Sequence, residues 1–333
     1  MKRYRLFATV LLVMFGCLLS ACSTADNTAD KGKTNTVTDV KGNTVTVPAH
    51  PKRIMSVTTG TDEILLGLVE TERMIAVSEG LADPKRSNVS SIAKKIPNTV
   101  IRNPSVETVA ALEPDLVFAQ EWIPPEKISA LRDMGIPVVI CKTPRNFEDV
   151  RVTVRLIAES VGEKERGEQL LKMMDGELAE IKAKIDKQPE DKKGKSIALV
   201  SIMPAYGGKG CMVDDVFAGA GAKNAKALAG NKNGVAMTKE QFVACDPDYI
   251  FLPSYDDPST KEQKYGQEYM SDPSLQEMRA VKERHVMHPW AHYIYNISQN
   301  VVFGVQEAAY ILYGDEFKQT RDRYLSAVPE DKR

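Results

Sequence analysis

The sequence is poor in cysteine, and the spacing of its cysteines matches neither a zinc ribbon nor a disulfide framework. Five are present, of which Cys141, Cys211 and Cys245 lie in the body of the chain. None belongs to a CxxC pair, which excludes the zinc and thioredoxin-like motifs that depend on that spacing. A disulfide between Cys211 and Cys245 and buried free thiols both stay open as alternatives.

Motifs of the common enzyme classes are also lacking. The chain contains no GxSxG, no GxxxxGK[ST], no HExxH and no GxGxxG that follows a predicted strand. The glycines around Lys209, in the sequence GGKG, lack the spacing of a phosphate-binding loop and suit a close backbone turn instead. A secreted hydrolase built from dispersed Asp, Glu and His residues is the remaining enzyme alternative.

Neither sign of charge is in excess. The 44 basic and 45 acidic residues leave a formal net charge of -1, which gives no reason to expect nucleic-acid binding. With 333 residues, of which 43% are hydrophobic, the composition is typical of a globular protein long enough for two domains.

A long apolar run occurs at the N terminus, where a basic segment precedes Leu6–Ala21. The run is too short for a comfortable membrane span and indicates an export signal. It ends in Leu-Ser-Ala-Cys22, which resembles the lipobox of bacterial lipoproteins, in which the cysteine carries the lipid; a plain signal peptide with a chance cysteine is the alternative. We therefore predict a signal peptide over 1–22, lipidation of Cys22, a flexible polar tether over 23–36, and an extracytoplasmic protein anchored to a bacterial membrane.

A single long helix is predicted over Glu163–Lys187. Its apolar residues recur at helical spacing, namely Leu170, Met174, Leu178, Ile181 and Ile185. The helix would be about 38 Å long, enough to cross from one domain to another, although an ordinary core helix is the alternative from this segment alone. Strands alternate with helices on both sides of it, a pattern typical of βαβ units with parallel sheets.

The two halves are related by a match at a constant offset of 133 residues. ETVAALEPDLVF, at 107–118, aligns with EQFVACDPDYIF, at 240–251, so that a helix, a Pro-Asp turn and a strand recur. The same offset places Trp122 on Tyr255. We predict an α/β fold of two similar α/β lobes with mainly parallel sheets. The N-terminal lobe covers 37–162 and the C-terminal lobe 188–333; the bridging helix at 163–187 joins them, with a ligand cleft between.

The lipobox, the Thr/Ser-rich turn after the first strand, the repeated Glu…Pro-Asp signature and the bridging helix together resemble the class III substrate-binding proteins of ABC importers. This resemblance implies a monomeric binding protein without catalysis or catalytic cofactor. It would deliver an iron–siderophore or haem, or alternatively cobalamin, to a permease dimer and its ATPase subunits. It further implies that Glu107 and Glu240 dock the protein by pairing with arginines of the permease.

Ligands of open α/β sheets lie beyond the carboxyl ends of the strands, which locates the predicted cleft. The residues predicted to line it are Thr58, Thr59, Ser78, Arg102, Trp122, Tyr206, Tyr255, Trp290, His292 and Tyr293. Aromatic side chains suit a large, rigid chelate, with core packing as the alternative. His292 and Tyr293 could also contact the metal of a chelate. Arg102 and Lys209 are the only convincing cations near the cleft, which favours a less charged or tetrapyrrole ligand.

Overall fold

The computed structural model describes residues 32–333, and the chain from Thr34 onward forms one compact unit. The predicted signal peptide, the lipidation site Cys22 and most of the predicted tether lie outside the described residues. In the described part of the chain, no helix is long and apolar enough to cross a membrane.

Two groups of elements follow one another along the described chain. The strands are β1 Thr34–Thr38, β2 Thr44–Pro48, β3 Ile54–Ser56, β4 Ala76–Ser78, β5 Asn98–Val100, β6 Leu116–Gln120, β7 Val138–Cys141, β8 Ser196–Leu199, β9 Lys223–Asn224, β10 Tyr249–Phe251 and β11 Val286–Met287. The helices are Thr59–Leu68, Ser90–Ala93, Val106–Ala111, Pro125–Asp133, Phe147–Ser160, Lys164–Asp186, Met212–Gly219, Ala225–Leu228, Lys239–Cys245, Lys261–Met270, Arg279–Lys282, Ala291–Ile294 and Val301–Tyr313. Short 3-10 turns lie at Thr71–Arg73, Glu79–Ala82, Glu190–Lys192, Pro273–Leu275, Asp315–Phe317 and Glu330–Lys332.

The first lobe contains parallel strands in the order β3-β6-β7, with β4 and β5 paired in parallel beside them. The backbone N–H of Ile75 donates to the carbonyl of Ile54 at 2.9 Å and joins the two groups. All residues of β6 and β7 are buried. Such continuously buried strands are expected where helices cover both faces of a parallel sheet. The antiparallel hairpin β1–β2 precedes this sheet, with alternate valines buried.

In the second lobe, the strand order is β11-β10-β8-β9, and every pairing is parallel. Together the two sheets confirm the predicted class of two α/β lobes with parallel strands.

The bridging helix runs from Lys164 to Asp186 and confirms the sequence prediction. Of its predicted apolar face, all but Leu178 are fully buried, and Leu178 packs half-buried against the core. The helix packs on Phe147–Ser160, on Thr59–Leu68 and on Val301–Tyr313. It therefore contacts helices from both halves of the chain, as a connection between lobes should.

The C-terminal segment forms a second connection. After Val301–Tyr313 the chain returns to the first lobe, where the N–H of Ala327 donates to the carbonyl of Gly67 at 2.9 Å. Arg323 also pairs with Glu177 of the bridging helix at 2.7 Å. The lobes are thus joined by the long helix and by the returning C terminus.

The repeat predicted from the sequence recurs in the backbone. Ser105 and Thr238, which are 133 positions apart, each cap a short helix by accepting a hydrogen bond from the third residue along the chain. Each helix then ends near a residue with positive φ, Glu113 at 49° and Asp246 at 34°. These two residues are also separated by the same offset.

The aspartates of the two Pro-Asp turns have the same structural role. Oδ1 of Asp115 accepts the N–H of Arg53 at 3.0 Å, directly before β3. Oδ2 of Asp248 accepts the N–H of Ser196 at 2.8 Å, at the start of β8. Each aspartate therefore fixes the beginning of a central strand to the beginning of its neighbour.

Candidate ligand-binding site

A cleft of about 530 Å³ lies at the carboxyl ends of the strands, with walls from both lobes. Its floor is the turn into helix Thr59–Leu68, where the hydroxyl of Thr58 donates to that of Thr61 at 3.0 Å. A Cβ on Gly60 would lie 2.7 Å from Cγ1 of Ile297 in the second lobe. Because real Cβ atoms do not approach so closely, any larger residue at position 60 would force the side chain of Ile297 to shift where the two lobes meet at this floor.

Cations reach the cleft from the first lobe. Arg102 and Arg145 both line it and are exposed. The guanidinium of Arg102 lies 4.9 Å from the ring centroid of Trp122, a cation–π geometry. Nε1 of Trp122 in turn donates to Oε1 of Gln120 at 2.7 Å, which fixes the indole at the edge of the cleft.

Phenols reach the cleft from the second lobe. Tyr206, Tyr255 and Tyr295 line it, and the rings of Tyr206 and Tyr295 lie 6.0 Å apart in a tilted arrangement. Burial raises the pKa of Tyr255 to about 12 and holds the pKa values of Tyr206 and Tyr295 well above their ordinary value. All of these phenols therefore stay protonated near neutral pH and can donate hydrogen bonds to an acceptor on a ligand.

A buried carboxylate joins the lobes beneath the cleft. Oε2 of Glu63 accepts hydrogen bonds from Asn296 at 2.8 Å and Ser298 at 2.7 Å. Asn300 donates a third hydrogen bond at 2.9 Å. Nε2 of His292 lies 2.9 Å from Oε1 of Glu63 but is not aligned for a hydrogen bond, so this contact is an ion-pair geometry. Burial alone would raise the pKa of Glu63, but His292 and these amides and hydroxyls outweigh it and hold that pKa below its ordinary value.

The pKa of the preceding residue, Asp62, is shifted in the opposite direction to that of Glu63. Its carboxyl group accepts from the hydroxyl of Ser78 at 2.6 Å and from that of Ser56 at 2.7 Å, at the ends of β4 and β3. No cation contacts it among the described residues, and burial raises its pKa to about 7. Asp62 thus holds two strand ends together inside the first lobe, whereas Glu63 reaches across to the second.

Besides Nε2 of His292, two polar atoms in the cleft wall lack a hydrogen-bond partner within the described chain. They are Oγ1 of Thr143 and Oδ1 of Asn233, one from each lobe. Buried polar atoms are costly to leave unpaired, so these two are suited to contact a polar ligand.

Of the residues predicted to bind ligand, six line the cleft and one borders it. Those that line it are Thr58, Thr59, Arg102, Tyr206, Tyr255 and His292. Trp122 stands at the edge, 39% exposed and stacked against Arg102. His292 faces Glu63, and its role is therefore to hold the lobes together as well as to line the cleft.

Three predicted ligand residues do not line the cleft, and the reason in each case is burial. Trp290 is 1% exposed, Tyr293 0% and Ser78 3%. The phenol of Tyr293 lies within hydrogen-bond distance of two carbonyls of the C-terminal segment, those of Thr320 and Arg323. Tyr293 thus contacts the C-terminal segment and Ser78 contacts Asp62, and neither is among the residues that line the cleft.

The expected cation Lys209 is also absent from the cleft lining, and Arg145 takes its place. Arg145 and Thr143 follow β7, the strand at the edge of the first sheet. The rule that ligands lie beyond strand ends would have found them had it been applied to β7. Glu262, from a helix that the sequence pattern does not predict, lines the cleft as well.

No group of three or more His, Cys, Asp or Glu residues that could hold a metal ion occurs within residues 32–333. The three cysteines of this range are free, and Cys141 and Cys211 are buried. Burial raises the pKa of the Cys211 thiol, so that it stays protonated beside the cleft.

Comparison with known proteins gives the family. A family model described as "Periplasmic binding protein" matches residues 54–289. The chain belongs to this periplasmic binding protein family. The members are substrate-binding proteins of ABC transporters, which work with permease and ATPase components and are not enzymes.

Two relatives and one solved structure illustrate the similarity. YvrC of Bacillus subtilis (strain 168), an ABC transporter substrate-binding lipoprotein, is 28% identical over 96% of this chain and 99% of its own length. YfiY of the same strain, a probable siderophore-binding lipoprotein, is 24% identical over 92% of this chain and 94% of its own. The periplasmic heme-binding protein RhuT of Roseiflexus sp. RS-1 superposes with a TM-score of 0.66 at 22% identity, covering 79% of this chain and 98% of that one. The last comparison shows the same two-lobed fold.

Proposed function

We propose that this chain is the extracytoplasmic, lipid-anchored binding protein of an ABC importer for an iron complex, either a siderophore or haem. The observation that carries the proposal is the cleft of about 530 Å³, with arginines on one wall and half-buried phenols on the other. A cavity of this volume accommodates a chelate, whereas a bare ion requires converging ligands at bonding distance. The relative YfiY is a probable siderophore-binding lipoprotein, which supports the same ligand class.

The two cleft arginines indicate that the complex carries negative charge on one side. Guanidinium groups bind carboxylates and other planar anions with paired hydrogen bonds. The tyrosines and the apolar side chains of Met203 and Ile297 then face its flat or apolar part. A ferric catecholate and a haem with its carboxylates both combine negatively charged groups with a flat, apolar part.

Native mass spectrometry and titration calorimetry test the proposal, with haemin, a ferric catecholate, a ferric hydroxamate and cobalamin as probes. We expect one-to-one binding of an anionic iron complex with a Kd of about micromolar or lower. Preferential binding of cobalamin would support that alternative ligand instead. If none of the four probes bound even at probe concentrations well above micromolar, the proposed function would be overturned.

A matched pair of variants tests the arginine wall. Replacing both Arg102 and Arg145 by alanine should weaken binding of the anionic complex by about tenfold or more, because two charge-assisted contacts are lost. Lys209→Ala is the control, since Lys209 is exposed but outside the cleft lining. Equal effects of the two changes would contradict the assignment.

Lipid anchoring through Cys22 can be tested by replacing that cysteine. Cys22→Ala should release the protein from the membrane fraction, because the lipid on this residue is the proposed anchor. Cys17→Ala, inside the apolar run of the signal, is the matched control and should leave the protein in the membrane fraction. Retention of both variants, measured by fractionation and immunoblotting, would contradict the lipobox assignment.

Docking to the permease through Glu107 and Glu240 completes the proposal. Both residues are exposed, and each is the second residue of its short helix, at equivalent positions of the repeat. Hydrogen bonding to its own backbone N–H lowers the pKa of each carboxyl group, so both are ionised. Two equivalent carboxylates, one per lobe, suit a partner that presents two equivalent basic sites.

A further inference from the structure

The two walls of the cleft carry opposite charges that are not paired with each other. On the first-lobe wall, the guanidinium groups of Arg102 and Arg145 form no ion pair within residues 32–333, and that of Arg102 stacks on Trp122. On the second-lobe wall, the carboxylate of Glu262 has neither an ion-pair partner nor a hydrogen bond in the same range. The other carboxylate of the cleft lining, that of Glu63, is already held by its buried partners. Glu262 is therefore the acid that can receive a group from a ligand.

The carboxylate of Glu262 lies among the phenols of its wall. Glu262 is the second residue of helix Lys261–Met270 and is half-buried. Burial is the larger cause of the raised pKa values of Tyr255 and Tyr295, and the negative charge of Glu262 adds to both. Arg86 stacks over the ring of Tyr255, 5.2 Å from its centroid, without an ion pair to Glu262. A carboxylate beside neutral phenols and without a paired cation suits a cation that a ligand supplies.

A second group on the same wall also requires a donor. An acid in the first turn favours its helix through the macrodipole, which is an explanation of Glu262 that needs no ligand. This explanation does not extend to Asn233, whose Oδ1 is buried in the cleft wall and accepts no hydrogen bond within the described chain. A carbonyl oxygen is satisfied only by an N–H or O–H group. The second-lobe wall thus presents two acceptors, whereas the first-lobe wall presents two cationic donors.

We propose that the transported complex is dipolar: its anionic groups bind Arg102 and Arg145, and a protonated amine on its opposite side binds Glu262. This inference rests on the proposed function, which it narrows to an amino-bearing siderophore in place of haem. An ammonium group donates three hydrogen bonds and accepts none, so it fits a wall of acceptors. A carboxylate of the ligand on that side would be repelled by Glu262. Asn233 then accepts from an N–H or O–H group on the same face of the complex.

Two matched pairs of iron complexes test the proposal by titration calorimetry. A ferric trihydroxamate and a ferric tricatecholate are each used with a free amino group on the backbone and again after N-acetylation, which removes the positive charge but keeps an N–H donor. We expect the wild-type protein to bind one amino complex about tenfold more tightly than its acetylated form, because a charge-assisted contact is lost. Haemin, which has no cationic side group, should bind more weakly than this amino complex.

Replacing the acid assigns the preference to one residue. Glu262→Gln should weaken binding of the amino complex by about tenfold and leave binding of the acetylated form nearly unchanged. Glu268→Gln is the matched control, because Glu268 is exposed on the same helix and does not line the cleft. If Glu262 serves its helix alone, the variant would lower the melting temperature and keep the preference for the amino form. The comparison of the two forms on wild-type protein does not depend on the folding of either variant.

The outcomes separate this inference from the proposed function. Equal binding of the amino and acetylated forms, tighter binding of haemin than of both amino complexes, or a preference that survives in Glu262→Gln would each overturn the dipolar ligand. Transport of an iron complex would stand in all three cases. Failure of haemin and of every hydroxamate and catecholate complex to bind would overturn the proposed function as well.

Discussion

The two lobes repeat the same helix, turn and strand, yet they give the cleft different chemistry. The shared parts are structural: Asp115 and Asp248 fix the central strands of their lobes in the same way. The loops differ, since the first lobe contributes the arginines and the second contributes the tyrosines. A repeated backbone thus holds two walls in equivalent positions, while the loops carry the specificity.

The likeness of the two lobes extends to a second pairing. In the first lobe β5 pairs in parallel with β4, and 133 positions after Ala76 and Thr99 of these strands a parallel bridge joins Lys209 and Lys232. The following predictions test how far the lobes are equivalent and where they diverge.

The largest effect is expected where the lobes are most alike. The double change Glu107→Lys and Glu240→Lys should abolish uptake while leaving ligand affinity and thermal stability nearly intact, because both proposed permease contacts become repulsive. Each single change should be intermediate. The control is Glu180→Lys with Glu330→Lys, which alters net charge equally at two other exposed sites. Normal uptake by the first double variant, or loss of its ligand binding, would show that the lobes do not dock through this pair.

The next effect concerns the junction between the lobes. Glu63→Ala should lower the free energy of unfolding by about 3 kcal/mol, because it leaves His292 and three other polar side chains without their buried partner. Asp62→Asn should cost no more than about 1 kcal/mol near neutral pH, since an amide can replace a protonated carboxyl group in the same hydrogen bonds and buries no charge. Urea unfolding measures both. Equal losses would mean that the contact across the lobes is no more important than the one within the first lobe.

The same two carboxyl groups should give opposite dependence on pH. The pKa of Asp62 is raised from 3.8 to about 7, so its protonated form stabilises the protein fully below about pH 4, and this contribution is lost as the pH rises toward 7. The pKa of Glu63 is lowered, so its contribution is present above its ordinary value of 4.5 and is lost as the pH falls. Relative to wild type, Asp62→Asn should therefore gain stability between about pH 4 and 7. Parallel stability curves for the two proteins over this interval would contradict the pKa of Asp62.

The smallest effect is expected at the aromatic pair that the repeat relates. Tyr255→Leu should weaken ligand binding by about tenfold, and Trp122→Leu by about threefold, because Tyr255 lines the cleft and Trp122 only borders it. Tyr269→Leu is the control, since this ring packs against Phe242 inside the second lobe. Calorimetric titration with the probe that binds wild type decides the order. A larger loss at Trp122 would mean that the ligand sits nearer the first lobe.

Much of the fold can be predicted because its signals are local. The helical spacing of its apolar residues predicts the bridging helix. The constant offset of 133 residues predicts that the second lobe repeats the elements of the first. The helix Val301–Tyr313 gives no such signal because it is buried on nearly all sides and has no polar face to produce a periodicity. Its position depends on packing against the bridging helix and Met212–Gly219, which are distant in sequence.

In the candidate site, only residues whose position depends on following a strand could be predicted from the sequence. Thr58 and Tyr255 follow strands, and the position of their loops is enough to place them at the cleft. Trp290 and Tyr293 follow a strand as well, but the C-terminal segment returns over them and supplies the carbonyls that the phenol contacts. That cover is made by residues some thirty positions further on, and no pattern within the loop reveals it.

The distribution of tryptophan gives this protein a built-in optical reporter. The chain has only two such residues: Trp122, at the edge of the cleft, and Trp290, buried in the core. A ligand that displaces Arg102 from the indole face changes the emission of Trp122, while the emission of Trp290 remains an internal reference. Replacing Trp290 by phenylalanine would leave Trp122 as the one tryptophan, beside the cleft. Ligand occupancy of the cleft could then be followed by intrinsic fluorescence, without any attached dye.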